Sequence, residues 1–168
     1  ITNYKLIPNE TYSYVVNVNK TVNISNKNLK KIEVQFNQIV GDFYCCNNKL
    51  TSLEGCPHIV NGHFDCSNNQ LSSLEYCPEI IEGTLWCNNN ELNCLEGPKI
   101  IYEWLDCNNN KLTLNSLKRM NVDIKINYIE INNNKELGEL ENVTDFQELK
   151  EKVEDIFKIK KEKENLLN

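Results

Sequence analysis

The sequence predicts an α/β solenoid, in which a short unit recurs along an axis and the strands of successive units stack in parallel. A segment of about eleven residues recurs four times with nearly the same sequence, beginning at Phe43, Phe64, Leu85 and Leu105. The cysteines at its third position lie 21, 21 and 20 residues apart, at Cys45, Cys66, Cys87 and Cys107. A fixed period of this length is typical of a solenoid whose units contact only their neighbours.

Alternation within each copy predicts a half-buried strand. In the second copy we expect Phe64 and Cys66 to face the core and Asp65 to face solvent. An asparagine follows each strand at the same position, at Asn48, Asn69, Asn90 and Asn110. Because an amide both donates and accepts hydrogen bonds, these asparagines are expected to bond backbone groups of the turn and to form a ladder along the stack.

The segment that returns from one strand to the next is predicted to be mostly irregular, because a 21-residue period leaves too little chain for a full helix. Each return contains a proline followed closely by a pair of Ile or Val residues, the prolines being Pro57, Pro78 and Pro98. Proline suits an extended path on the solvent side, where its missing N–H costs little. We therefore expect a parallel sheet on the concave face and turns or polyproline-like stretches on the convex side.

The repeat array is predicted to cover residues 21–135. Residues 21–41 are a degenerate first copy, and a last copy spans residues 129–134. Residues 1–20 lack the repeat but contain an apolar, strand-like stretch, so they are predicted to form an N-terminal strand or hairpin cap. Between the fourth and last copies, residues 116–120 suggest a helical turn and residues 122–126 a strand.

Residues 136–168 are predicted to form a C-terminal helical cap. Apolar residues recur at helical spacing along a stretch rich in Lys and Glu, at Phe146, Leu149, Val153 and Ile156. Thr144 and Gln147 have the spacing of a capping box. The pattern predicts a helix over residues 145–163 that closes the end of the solenoid; a helix that binds a partner is the alternative.

These units resemble the leucine-rich repeat, whose pattern is L-x-x-L-x-L-x-x-N-x-L. The four cysteines stand in place of the second strand leucine, and the four asparagines hold the asparagine position. The spacing from Leu53 to Pro57 is similar to a short bacterial subtype of about 20 residues found in secreted effectors. The units are also similar to the Asn- and Cys-rich repeat arrays of phages and large viruses. The resemblance implies a fold and leaves the function open, because repeat folds host many functions.

Composition limits the classes of partner. The formal net charge of −6 disfavours direct binding to nucleic acid and favours a partner with a basic surface. No apolar run approaches the length of a membrane span. Asparagine accounts for 29 of the 168 residues, a bias that we attribute to an AT-rich genome as much as to structure. We expect a monomer that has no cofactor, no metal and no small-molecule substrate.

The eight cysteines are predicted to be free thiols without disulfides. The four that share a repeat position should form a line in the core, which is neither a tetrahedral zinc cage nor a favourable disulfide geometry. Free cysteine packs as a small apolar residue. Reduced thiols and the lack of a visible signal peptide favour an intracellular, cytoplasmic protein. A secreted or host-delivered effector is the alternative.

Outward-facing strand residues provide the candidate partner-binding site, which we call the aromatic–acidic strip. Its members are Asp42, Tyr44, His63, Asp65, Trp86, Trp104, Asp106, Tyr128 and Glu130. Aromatic residues at solvent-facing positions have no core role, and Trp and Tyr dominate interface hot spots. The alternative is that Trp86 and Trp104 pack on each other or beneath a loop.

A non-catalytic protein-interaction module is the function that these features favour. Cys46 and His63 are the nearest approach to a thiol nucleophile with a base, and chance explains their proximity better than catalysis does. Three alternatives stay open. The resemblance to phage and pathogen arrays, together with the acidic face, suggests an inhibitor that blocks the basic groove of a host nucleic-acid-binding enzyme. The chain could also be the targeting module of a larger enzyme, or a purely structural repeat protein with no specific partner.

Overall fold

A computed structural model describes residues 4–7, 15–120, 126 and 128–166 of the chain. The fold is a parallel β-solenoid followed by a C-terminal helix. In chain order the strands are β1 (Tyr4–Ile7), β2 (Val15–Val18), β3 (Val22–Asn23), β4 (Gln35–Ile39), β5 (Phe43–Tyr44), β6 (Ile59–Val60), β7 (Phe64–Asp65), β8 (Ile80–Ile81), β9 (Leu85–Trp86), β10 (Ile100–Ile101), β11 (Trp104–Asp106) and β12 (Tyr128–Glu130).

The repeat strands form the first of two sheets, in the order β12-β11-β9-β7-β5-β3. Every pair in it is parallel, and each strand is in register with the equivalent residues of the next copy. The residues that define this register are Val22, Phe43, Phe64, Leu85, Leu105 and Ile129. The predicted stack is therefore confirmed, including the last copy, in which Ile129 pairs with Leu105.

A second sheet, which the sequence did not predict, lies on the return path, whereas most of the remaining return path consists of turns and bends, as expected. Strands β1, β2, β4, β6, β8 and β10 lie in that order, and all pairs except β1–β2 are parallel. The Ile/Val pairs that follow the prolines are strands β6, β8 and β10. The prolines Pro57, Pro78 and Pro98 are buried rather than on the solvent side. Five successive solenoid turns, from β2–β3 to β10–β11, thus contribute a strand to both sheets.

The core between the two sheets contains the predicted cysteine line. The thiols of Cys45, Cys66, Cys87 and Cys107 have no exposed surface, and all eight cysteines are free. Cys56 and Cys77, on the return path, are buried as well. They pack with Phe43, Phe64 and the repeat leucines in one apolar cluster. The cysteines act here as small apolar residues, as expected.

The predicted asparagine ladder is confirmed. Asn69 shows the pattern: its Nδ2 donates to the carbonyls of Cys45 and Cys66 at 3.1 and 3.0 Å, and its Oδ1 accepts from the N–H of Leu50 at 3.0 Å. The same three bonds recur in the other copies, at Asn48, Asn90, Asn110 and Asn134. Each amide therefore joins two successive turns of the solenoid.

Helices follow the fourth copy. They are α1 (Leu114–Lys118), a 3₁₀ helix (Gly138–Asn142) and α2 (Phe146–Leu166). The long helix α2 confirms the prediction, and its stripe of Phe146, Leu149 and Val153 packs into the core. The predicted cap is displaced by one residue: Asp145 Oδ1, rather than Thr144, accepts from the N–H of Glu148 at 2.7 Å. The short side chain of Asp145 meets the first turn directly.

The two ends of the solenoid differ. At the C-terminal end, Tyr128 forms an antiparallel bridge with Asp145, and the N–H of Ile129 donates to the carbonyl of Thr144 at 2.8 Å. At the N-terminal end, β2 confirms a strand in residues 1–20, and its antiparallel partner β1 extends the second sheet. The predicted strand residues 12–14 and 122–125 lie outside the described residues. No helix in the described part is both long and apolar enough to cross a membrane.

Candidate functional site

Every member of the aromatic–acidic strip lies on the outward side of the first sheet. Two rows cross the strands, because outward positions alternate with the buried register residues. The strip members of the central row are Tyr44, Asp65, Trp86, Asp106 and Glu130, which neighbour one another on consecutive strands. Those of the flanking row, two positions earlier on their own strands, are Asp42, His63, Trp104 and Tyr128. The solenoid thus gathers residues that span almost ninety positions of sequence.

Aromatic and acidic side chains lie next to each other in the central row. Trp86 lies between Asp65 on one neighbouring strand and Asp106 on the other. Strand stacking spaces such neighbours by about 4.8 Å. Trp86 and the two aspartates therefore lie on three adjacent strands of one face.

Two acidic residues of the central row also accept backbone hydrogen bonds at the ends of their strands. Asp65 Oδ1 accepts from the N–H of Ser67 at 2.9 Å, and Asp106 Oδ1 accepts from the N–H of Asn108 at 3.0 Å. In the first copy Asn23 makes the same bond to Ser25 at 2.9 Å. An aspartate is thus not required for this turn, because an asparagine oxygen serves equally. The turn therefore does not require the negative charge of Asp65 or Asp106.

Asp42 organises the N-terminal part of the flanking row. Its carboxylate accepts from the His63 N–H at 2.8 Å and from the Tyr44 hydroxyl at 3.0 Å. Burial raises the pKa of Asp42, but these bonds, together with Thr21, outweigh burial and leave the pKa below its usual value. Burial and the bond to Asp42 raise the pKa of Tyr44. Asp42 is therefore a charged residue engaged in positioning its neighbours.

His63 joins the two rows. Its Nδ1 accepts from the Thr84 N–H at 3.0 Å, so this nitrogen carries a lone pair, and its 3.6 Å approach to Glu103 is not an ion pair. The His63 ring packs against Trp86 with centroids 5.2 Å apart and planes tilted by 45°. His63 therefore acts as a support for the indole of Trp86.

The two tryptophans belong to separate aromatic pairs. Trp104 contacts Tyr128 edge to face, with centroids 5.3 Å apart, and Trp86 contacts His63. Their rings make no contact with each other within the described chain. The Nε1 of Trp104 is the one buried side-chain nitrogen or oxygen atom in the described part that lacks a hydrogen-bond partner. Trp104 is thus the more enclosed of the two, and Trp86 is the better probe of binding.

Three carboxylates of the central row have no cationic partner among the described residues. The salt bridges among the described residues join lysines to other glutamates, and none reaches Asp65, Asp106 or Glu130. Burial raises the pKa of Asp106, and the charges of Glu130 and Asp65 raise it further. Asn108 donates to Glu130 at 2.5 Å. The row therefore concentrates negative charge that the described chain does not neutralise.

Three further residues contribute to the strip that the sequence did not single out for binding. Thr84 is buried and bonds Glu103 Oε2 through its hydroxyl at 3.1 Å. Asn108 bridges Glu130 and the backbone N–H of Asn132. The repeat positions of Thr84 and Asn108 already predict that both residues face outward beside the strip, whereas Glu103 precedes its strand. The described residues contain no group of His, Cys, Asp and Glu able to hold a metal ion.

Comparison with known proteins gives no relative. Neither the protein-family models, nor the curated proteins, nor the solved structures contain a significant match to the chain. The parallel β-solenoid is therefore established by its strand pairing alone. The leucine-rich repeat assignment stays a prediction.

Cys46 is the partly exposed thiol nearest to the strip. Its Sγ donates to Ser25 Oγ at 3.1 Å, while His63 bonds Thr84, so the two side chains have separate partners. Burial, with help from Asp65, raises the pKa of Cys46 to about 11, although the bond to Ser25 lowers it. A thiol is the unreactive form of cysteine. The site therefore offers no activated nucleophile at Cys46.

Alkylation without reductant is expected to modify Cys46 and Cys94 slowly and the other six cysteines only on unfolding. Cys46 and Cys94 are the two that are not fully enclosed. Intact mass spectrometry against time, with peptide mapping, measures the order. A starting mass that is lower by pairs of hydrogens would show disulfides and contradict the structure.

Proposed function

We propose that the protein is a non-catalytic interaction module of leucine-rich-repeat type. Its concave face would be the outer side of the first sheet, and residues 1–20 would cap the array. The aromatic–acidic strip binds a partner protein that presents a basic surface. The observation that carries this proposal is the row in which Trp86 stands between Asp65 and Asp106, with no cation of the described chain beside the carboxylates.

Two physical reasons support a protein partner. Outward aromatic side chains on a sheet add nothing to the core, whereas Trp and Tyr supply large contact areas in interfaces. Burial raises the pKa of Asp106, and the charges of Glu130 and Asp65 add to this, so the charged form of Asp106 is disfavoured in the unbound protein. A basic partner removes this cost on binding, which favours basic over acidic surfaces and accelerates association.

Replacing Trp86 with alanine is expected to weaken the complex about 30-fold or more, as for a hot-spot residue. Immobilised wild-type protein and the Trp86→Ala variant are compared for capture from the native host, and captured proteins are identified by mass spectrometry. The purified partner is then titrated by calorimetry. Tyr102→Ala is the matched control, because Tyr102 is an exposed aromatic residue outside the strip.

The partner's identity decides between this proposal and its alternatives. Retention that depends on Trp86, by a protein with a basic surface, supports the proposal. Equal retention by wild type and Trp86→Ala contradicts it, provided that both have the same circular dichroism spectrum. A captured enzyme that loses nucleic-acid binding when this protein is added, with affinity that falls steeply with salt, identifies an inhibitor of a basic groove.

A further inference from the structure

We propose that the partner inserts an arginine side chain at Trp86, between the carboxylates of Asp65 and Asp106. This inference rests on the proposed function and specifies the chemistry of the same surface. It assigns a docking point to one indole and two carboxylates, and it predicts which cationic residue the partner must carry.

The spacing of the central row fits a guanidinium group. Asp65, Trp86 and Asp106 are paired on three consecutive strands, so an acidic residue lies on the strand on either side of the tryptophan. A guanidinium is planar and presents five N–H donors in a fixed fork. It can stack on an indole face while donating at its edge to a carboxylate. A lysine ammonium is a compact, strongly hydrated charge and cannot use both features in the same way.

All three docking residues are held in place before binding. One oxygen of each aspartate is bonded to a backbone N–H, of Ser67 and of Asn108, and His63 packs against the indole. His63 is held in turn by Thr84. Groups that are already oriented lose little conformational entropy when a ligand binds.

The electrostatic environment favours a cation at this point. No lysine or arginine of the described chain pairs with Asp65, Asp106 or Glu130. Asp106 is partly buried and neighbours Glu130 on the next strand, and burial together with the charges of Glu130 and Asp65 raises its pKa. A divalent metal is a poorer fit, since no metal-binding group of side chains is found in the described residues.

The test uses three synthetic peptides of equal length: oligo-arginine, oligo-lysine and oligo-citrulline. Citrulline keeps the shape of arginine but lacks its charge. Dissociation constants are measured by calorimetry with the full chain at fixed salt. Quenching of Trp86 is followed by fluorescence in a Trp104→Phe background, where Trp86 is the one tryptophan left.

We expect oligo-arginine to bind about tenfold more tightly than oligo-lysine, and oligo-citrulline to bind weakest. Trp86→Leu should remove the advantage of arginine over lysine, whereas Trp86→Phe should keep part of it. The double variant Asp65→Asn/Asp106→Asn should weaken both cationic peptides. It preserves the turns, as Asn23 does in the first copy. Glu75→Gln/Glu96→Gln, at two exposed acids outside the strip, makes the same change in net charge and should have little effect.

Two outcomes would overturn the inference. One is equal binding of oligo-arginine and oligo-lysine that does not respond to Trp86→Leu, which would show a diffuse charge attraction. The other is no binding of any peptide. Neither outcome decides the proposed function, because capture that depends on Trp86 is measured separately with the whole partner.

Discussion

Replacing Asn90 with alanine is expected to lower the free energy of unfolding by about 3 kcal/mol, because several buried backbone groups lose their partners together. Asn90 Nδ2 donates to the carbonyls of Cys66 and Cys87, each at 3.1 Å, and its Oδ1 accepts from the N–H of Leu71 at 3.0 Å. The residue is buried, so water cannot replace these bonds without opening the turn.

Urea denaturation followed by circular dichroism measures this loss of stability. Two further variants show whether the loss comes from the hydrogen bonds of Asn90. Asn93→Ala changes an exposed asparagine whose side chain has no hydrogen bond to any described residue, so we expect a loss of less than about 0.5 kcal/mol. Asn90→Asp keeps the acceptor for Leu71 but loses both donors and buries a charge, so it should be at least as damaging as alanine. Similar losses for Asn90→Ala and Asn93→Ala would contradict a stabilising ladder.

The ladder was predictable from sequence because its two causes are local. The period places each asparagine directly after a strand, and an amide has the donors and the acceptor that adjoining turns require. The cysteine line follows from the same period, since one position per strand points inward and the residue there must be small and apolar. A single copy would predict these positions only weakly, but the same pattern recurs in every copy and the prediction is stronger for it.

The second sheet was not predicted, although its residues are visible in the sequence. Its later strands contain two residues each, such as Ile80–Ile81, with one half-buried and one buried side chain. Two residues are too few for alternation to be recognised. The preceding proline indicated an extended solvent-side path, but Pro78 is buried. What makes the return path a sheet is pairing with the neighbouring turns, which a single copy does not display.

The abundance of asparagine also has a structural cause that composition did not reveal. In six copies the residue before the ladder position has a positive φ of 52° to 58°, and it is asparagine each time: Asn26, Asn47, Asn68, Asn89, Asn109 and Asn133. Asparagine adopts this left-handed conformation more readily than other residues with a side chain. In each Asn-Asn pair the first residue adopts the left-handed conformation of the turn. The second residue forms the hydrogen bonds that join neighbouring turns of the solenoid.

For the candidate site, alternation predicted which side chains share a face but not what they bond. The placement of Trp86 beside Asp65 and Asp106 follows from the register of the copies. The contact of His63 with Thr84, and of Thr84 with Glu103, depends on side-chain rotamers, which alternation does not specify. Such contacts join residues far apart in sequence, so no local pattern encodes them.

Replacing Gly83 with alanine is expected to lower the free energy of unfolding by about 2 kcal/mol, as overpacking does. A Cβ at Gly83 would lie 2.5 Å from His63 Nδ1 and 2.9 Å from the carbonyl carbon and oxygen of Gly62. Gly83 has an ordinary φ, so the cost is steric alone. Gly138→Ala is the contrasting control: its φ is +56° with open space around it, so about 1 kcal/mol of backbone strain is expected.

Gly83→Ala is also expected to weaken partner and oligo-arginine binding without altering any residue of the strip. The added methyl group must displace the His63 ring, whose Nδ1 would then lose the Thr84 N–H, and the support of Trp86 would shift with it. Calorimetry below the melting temperature separates this from unfolding, because Gly138→Ala loses stability but leaves His63 untouched. Unchanged peptide affinity in folded Gly83→Ala would show that Trp86 does not need His63 in order to bind. The close approach of two glycines would then serve the stacking of the solenoid alone.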